Sequence, residues 1–200
     1  MKIIGVSQRL GVSKFGELRA QIDIRLLNFI SKCGYVPIPI PYFNSTKKNS
    51  LKKLKVWLHS VKLSGLVLSG GEDIGKYKLR DYSERFLISY SIKKRIPVFG
   101  ICRGMQIIGS YFRVKLKPVK NHVNTLHTIY SNKKKIKVNS YHNYSLKKCP
   151  QNFSIEFKSL DENIESIRST TKKIYACMWH PERYKNFKKF DIINFKKLFK

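Results

Sequence analysis

Across residues 96–106 an apolar run, Ile-Pro-Val-Phe-Gly-Ile, stops at Cys102, and a helical pattern starts on the next residue. A strand that becomes a helix without a loop has to turn sharply. Gly100 and Gly104, two positions to either side of the cysteine, remove the side chains that would crowd such a turn. No other segment limits the fold as much, because a buried strand feeding straight into a helix belongs to a parallel sheet covered by helices. The same turn lifts one thiol into the open, which a nucleophile needs and a packing cysteine does not. Backbone N–H groups at the start of the helix favour a thiolate and a developing oxyanion.

The remaining patterns agree with that frame. Strands are expected at residues 2–6, 36–40, 66–68 and 96–101, and helices at 19–33, 51–61, 82–93 and 103–112. Pro37, Pro39 and Pro41 make the second strand an edge strand or an extended segment rather than a central strand. After Lys117 the alternation breaks. Residues 119–132 read as irregular with a short hairpin, and short strands follow at 135–138, 154–157, 164–168 and 174–178. A helix over 188–199, anchored by Phe190, Ile193, Phe195 and Leu198, closes the chain. The expected architecture is one α/β domain over residues 1–200, a three-layer sandwich with a mostly parallel central sheet.

The chain carries 41 Lys plus Arg against 12 Asp plus Glu, a formal charge of +29. Polyanions are therefore natural partners. However, the lysines are scattered in pairs, and no zinc finger, arginine-rich helix or RNP-like motif organises them. A phosphate-bearing small substrate uses that field more economically than nucleic acid does. No stretch approaches the roughly 18 apolar residues of a membrane span, and no secretory segment opens the chain, so the expected location is cytoplasmic with no membrane partner. The four cysteines form no CxxC pair, and no familiar ligand spacing is present, so neither a metal nor a cofactor is implied.

Far from Cys102, the segment Met178-Trp179-His180-Pro181-Glu182 offers a base and a carboxylate two positions apart, held in fixed relation by the proline. A cysteine hydrolase needs a base to take the thiol proton and a carboxylate to orient that base. His142 also follows a strand-like stretch and is the main rival base, with His122 and His127 behind it. The turn Ser69-Gly70-Gly71-Glu72-Asp73 has the form of an anion-binding nest but lacks the Gly-Lys-Ser of a P-loop. The amide of Gly71 is the candidate first oxyanion donor and that of Arg103 the second.

Taken together, these motifs resemble the class I glutamine amidotransferases (a flavodoxin-like fold), and within them the gamma-glutamyl-gamma-aminobutyrate hydrolase branch. The pieces that carry the resemblance are Gly70-Gly71-Glu72-Asp73-Ile74, Arg80-Asp81-Tyr82-Ser83-Glu84, the elbow from Gly100 to Gln106, Val138-Asn139-Ser140-Tyr141-His142, and Trp179-His180-Pro181-Glu182. The resemblance implies a triad of Cys102, His180 and Glu182. It further implies a glutamyl pocket at Gln106 and substrate contacts from Gly70, Asn139, Ser140, Tyr141 and His142.

The chain also departs from the branch. It is shorter between Tyr77 and Arg80 and after Leu116, Ala176-Cys177-Met178 replaces a Gly-x-Gln type of lead-in, and Asn143 stands where a second histidine is common. These differences put a gamma-aminobutyrate leaving group in doubt. The compact, lysine-rich form also resembles the capsule-biosynthesis hydrolases that split gamma-glutamyl-CDP-amidate into L-glutamate and cytidine diphosphoramidate. That resemblance implies a nucleotide diphosphate conjugate as substrate, with Arg80, Arg103, Lys76, Lys78 and Arg183 as candidate phosphate contacts. The rival readings are a glutaminase subunit serving a separate synthetase, a gamma-glutamyl-gamma-aminobutyrate hydrolase, and a non-enzymatic nucleic-acid binder. Oligomeric state is not legible.

Overall fold

A computed structural model of the chain describes residues 2–132 and 134–200. Its centre is a nine-stranded sheet. The strands are β1 (Ile3–Val6), β4 (Val36–Pro39), β5 (Gly65–Leu68), β6 (Val98–Ile101), β8 (Val123–Ser131), β9 (Lys134–Tyr141), β11 (Phe153–Ser159), β12 (Ile164–Ser169) and β13 (Ile174–Cys177). Their spatial order is β4-β1-β5-β6-β13-β12-β11-β8-β9. The first five run parallel, and every pairing from β13 onward is antiparallel. The sheet is thus mixed, with its parallel half at the end that carries the elbow. Two small antiparallel two-stranded sheets lie outside it: the hairpin of β2 (Arg9–Val12) with β3 (Leu18–Gln21), and β7 (Leu116–Pro118) with β10 (Tyr144–Leu146).

The layers follow from side-chain alternation along the buried strands. Val67, Phe99, Ile101, Tyr175 and Cys177 point into one core with α1 (Ile24–Lys32) and α5 (Lys189–Phe199). Leu66, Leu68, Val98, Ile174 and Ala176 point into a second core with α2 (Lys47–Ser60), α3 (Lys78–Lys94) and α4 (Arg103–Tyr111). Strands buried on both faces read as continuous apolar runs, as β5, β6 and β13 do. The proline-bearing strand β4 is at the sheet edge, as expected. Among the described residues no helix is long and apolar enough to cross a membrane.

Three expectations are corrected. The first helix begins at Ile24 rather than residue 19, because residues 18–21 are spent on the hairpin with β2 and Asp23 caps the helix by accepting a hydrogen bond from Arg25 N (2.9 Å). The segment 119–132 is mostly one long strand, β8, paired along its length with β9. In the closing helix Ile193 is exposed, and Phe199 takes its place as an anchor beside Phe195 and Leu198.

Candidate active site

In a parallel sheet all carboxyl ends lie along one edge, and ligands bind there. Three adjacent strands deliver the candidate residues to that edge. β5 runs out into Ser69, Gly70 and Gly71, β6 into Cys102, and β13, through Met178 and Trp179, into His180. β1, next to β5, runs out into Ser7, Gln8 and Arg9. One cleft is lined by Arg9, Gly71, Cys102, Tyr141, His180 and Arg183. A larger concavity lies between β8, β11 and α5, lined by Tyr130, Lys134, Phe157 and Phe190, and among the described residues no cysteine or histidine lines it.

Cys102 sits at the turn with φ +50° and ψ −103°, a conformation rare for a non-glycine residue. Its amide donates to Cys177 O (2.7 Å), which ties the elbow to β13. The turn is this tight because α4 packs directly against β5: a Cβ on Gly104 would lie 2.1 Å from Leu68 O. Amides in the first turn of a helix have no intrahelical acceptor and point outward, which suits an oxyanion.

His180 is nearly fully buried. Its Nδ1 lies 2.7 Å from Glu182 Oε1, leaving Nε2 for the Cys102 thiol. The ring rests on Gly70, where an added Cβ would fall 2.7 Å from Cε1, and Tyr141 packs edge-on at 5.6 Å between centroids. Asn139 clamps the histidine backbone from both sides, its Nδ2 donating to His180 O (2.9 Å) and its Oδ1 accepting from His180 N (2.8 Å). Burial presses the imidazole pKa down, but the charges of Glu182 and Cys102 and hydrogen bonds to both outweigh it and hold it at about 9. Burial pushes the thiols of Cys33 (to about 12), Cys149 and Cys177 up, so none of them competes as a nucleophile.

These values give a pH expectation. A histidine whose pKa is raised stays imidazolium up to about pH 9 and loses its proton above that, so the alkaline limb of kcat/KM should fall near pH 9. In Glu182→Gln the largest raising influence is gone, and the limb should move to lower pH. A pH–rate profile with the limb unmoved would exclude Glu182 as the partner that sets it.

Of the other expected residues, Gly71 and Tyr141 line the cleft with Cys102 and His180, while Gly70 lies beneath the imidazole. Gln106, on α4, is buried and donates to Tyr144 O (3.1 Å). Ser140 Oγ donates to His122 O (2.7 Å), and His142 Nδ1 is 3.1 Å from Tyr144 O, so both polar groups face inward. His122, His127 and His142 gather around Glu165, not around Cys102.

Arg80 and Arg103, two candidates for phosphate, are almost fully buried and committed elsewhere. Arg80 pairs with Glu72 and Glu84, and Arg103 with Asp81 and Glu84. Lys76 and Lys78 are exposed and do not line the cleft. Arg183 does line it, its guanidinium 4.3 Å above the Tyr141 ring, and Arg9 lines it too. Sequence reasoning missed Arg9 and Gln21, which reach the cleft only because β1 neighbours β5.

Residues 24–197 match the family Glutamine amidotransferase class-I. The chain is 28% identical over 200 residues to the gamma-glutamyl-CDP-amidate hydrolase of Campylobacter jejuni, covering 95% of this chain and 94% of that protein. It is 27% identical over 129 residues to a glutamine-hydrolysing GMP synthase subunit of Methanocaldococcus jannaschii, covering 60% and 65%. Among solved structures it superposes on a glutamine amidotransferase of Thermotoga maritima with a TM-score of 0.64 at 19% identity, covering 90% of this chain and 76% of that one.

Proposed function

Because the chain belongs to the class I glutamine amidotransferases, we propose that it hydrolyses the gamma-glutamyl amide bond of gamma-glutamyl-CDP-amidate, releasing L-glutamate and cytidine diphosphoramidate. The observation that carries the chemistry is the buried contact of His180 with both Glu182 and Cys102 at the mouth of three parallel strands. The Cys102 thiolate attacks the gamma-carbonyl carbon, and the amides of Gly71 and Arg103 hold the resulting oxyanion. The C–N bond breaks as the His180 imidazolium protonates the departing nitrogen, leaving a thioester with Gln106 in the glutamyl pocket. Water then attacks the thioester, His180 takes its proton, and the C–S bond breaks to free glutamate and the thiolate. None of these steps calls for a cofactor.

Support for the leaving group comes from Arg9 and Arg183, which bring two guanidinium groups into the cleft that holds the nucleophile. Guanidinium matches phosphate oxygens by bidentate, charge-assisted hydrogen bonds, whereas a zwitterionic gamma-aminobutyrate gains little from them. The near full-length similarity to the Campylobacter hydrolase points the same way. Four free cysteines and a thiol nucleophile fit the reducing cytoplasm, the proposed location.

The test is glutamate release by the purified protein alone from gamma-glutamyl-CDP-amidate, L-glutamine and gamma-glutamyl-gamma-aminobutyrate at equal concentration. A large kcat/KM preference for the nucleotide is expected. Arg183→Ala should raise KM for the nucleotide about tenfold, roughly 1.4 kcal/mol, and leave KM for glutamine unchanged. Weak turnover of all three substrates, restored by a partner synthetase, would instead identify an amidotransferase subunit.

A further inference from the structure

Behind the cleft wall, on the far side of residues 139–144, three histidines converge on one buried carboxylate. His122 precedes β8, His127 lies on it, His142 follows β9, and Glu165 is on β12 with no exposed surface. His122 Nδ1 is 3.5 Å from Glu165 Oε1, His142 Nε2 is 3.4 Å from the same oxygen, and His127 Nε2 is 3.4 Å from Oε2. His122 Nδ1 and His142 Nε2 are 3.2 Å apart. Ligand atoms of His122, His127 and Glu165 all lie within 4.8 Å of one another.

The outer ring nitrogens determine which atoms carry protons. His122 Nε2 faces Asp161 Oδ2 at 3.0 Å, and His142 Nδ1 faces Tyr144 O at 3.1 Å. Both partners are acceptors, so in a neutral ring the outer nitrogen holds the proton and the inner nitrogen presents a lone pair. Among the described residues neither oxygen of Glu165 has a hydrogen-bond partner, nor does His127 Nε2. A buried carboxylate without a hydrogen bond is costly, and a cation among these groups offsets that cost.

We propose that His122 Nδ1, His127 Nε2 and a Glu165 oxygen hold one zinc(II) ion, with His142 next to the same carboxylate. Tetrahedral zinc with bonds of about 2.0–2.1 Å sets neighbouring ligand atoms about 3.3–3.4 Å apart, and the His122 and His127 nitrogens lie 3.5 and 3.4 Å from Glu165 oxygens. Imidazole nitrogen with one carboxylate suits zinc better than magnesium or calcium, which prefer oxygen. Asp161 is the outer partner that orients a metal-bound His122. Its three protein ligands come from the start of β8, from β8 itself and from β12, so the ion ties β8 to β12. This inference rests on the geometry of that cluster alone and is independent of the substrate proposed for Cys102.

The test is metal content of the full chain after incubation with zinc chloride and desalting, measured by mass spectrometry. One zinc per chain is expected for the wild type, for Cys102→Ala and for His180→Ala, with loss in Glu165→Gln and His127→Ala. Cobalt(II) replacing zinc in the wild type should give the intense visible absorption of a tetrahedral ion without a thiolate charge-transfer band, a readout that holds even if the variants misfold. Wild-type protein that retains no zinc and gives no tetrahedral cobalt spectrum would overturn the proposal. Zinc retained by Glu165→Gln but lost in Cys102→Ala would also overturn it, by locating the ion at the catalytic thiol.

Discussion

Cys102→Ala is expected to lower glutamate release by about 10⁴-fold or more, since removing a nucleophile leaves only the contribution of binding and oxyanion stabilisation. The fold should survive. Cys102 contributes one sulfur to the core, and the turn is held by its backbone bond to Cys177 O and by α4 packing on β5. The strained φ of +50° gives a second expectation that a plain packing cysteine would not. Cys102→Gly should be equally inactive yet more stable than Cys102→Ala by about 1 kcal/mol, because glycine adopts a positive φ without a Cβ clash. Activity assays and thermal unfolding of both variants check the pair. Turnover near the wild-type level in either one would end the assignment of Cys102 as nucleophile.

The parts of the site that could be read from sequence lie at the ends of buried parallel strands. β5, β6 and β13 are apolar on both faces, so each appears as an uninterrupted run, and the runs lead into Ser69-Gly70-Gly71, Cys102 and His180. The hairpin β2–β3 was not legible, because every residue of β3 is exposed and no alternation marks it. β8 was hidden for the opposite reason. Leu126 points out while His127 is largely buried, so the usual rule of apolar residues inside is inverted there. Arg9 is more than 90 positions from Cys102, and only the order of strands brings the two together. The arginines expected at a phosphate were misread, although Glu84, four residues after Arg80 on one helix, was a visible sign that Arg80 had a partner within its own helix. The histidine cluster follows no ligand motif, since its members come from three strands whose pairing no spacing reveals.

That misreading leads to the largest expected change in stability. Glu84 has no exposed surface and joins two almost fully buried arginines, accepting from Arg80 Nε (2.9 Å), from Arg103 Nη1 and from Ser7 Oγ (2.8 Å). Burial alone would raise its carboxyl pKa, but the charges of Arg103 and Arg80 outweigh it and hold the pKa below the ordinary range. A depressed carboxyl contributes stability above its unfolded pKa and loses it as pH falls through the folded one, so this clamp should fail only in acid. Glu84→Gln leaves both guanidinium groups short of a buried counter-charge and should cost about 3–5 kcal/mol, a large share of a typical domain's stability.

Glu84 also bears on the chemistry. Arg80 Nη2 donates to Ser69 O (2.8 Å) and Gly70 O (3.1 Å), and Arg103 directly follows Cys102, so one carboxylate fixes the two proposed oxyanion donors relative to each other. A misplacement of about 1 Å there is worth about 10²-fold in rate. Replacing the whole cluster by Arg80→Met, Glu84→Leu and Arg103→Met together with Glu72→Gln and Asp81→Asn should therefore restore part of the stability lost in Glu84→Gln, because the cluster then carries no unpaired charge. It should not restore the rate, because the turn at Gly70 would have lost its donors. Urea unfolding with parallel kcat measurements separates the two effects. A Glu84→Gln variant within about 1 kcal/mol of wild type would mean that the arginines find other partners, Glu72 and Asp81 being the nearest.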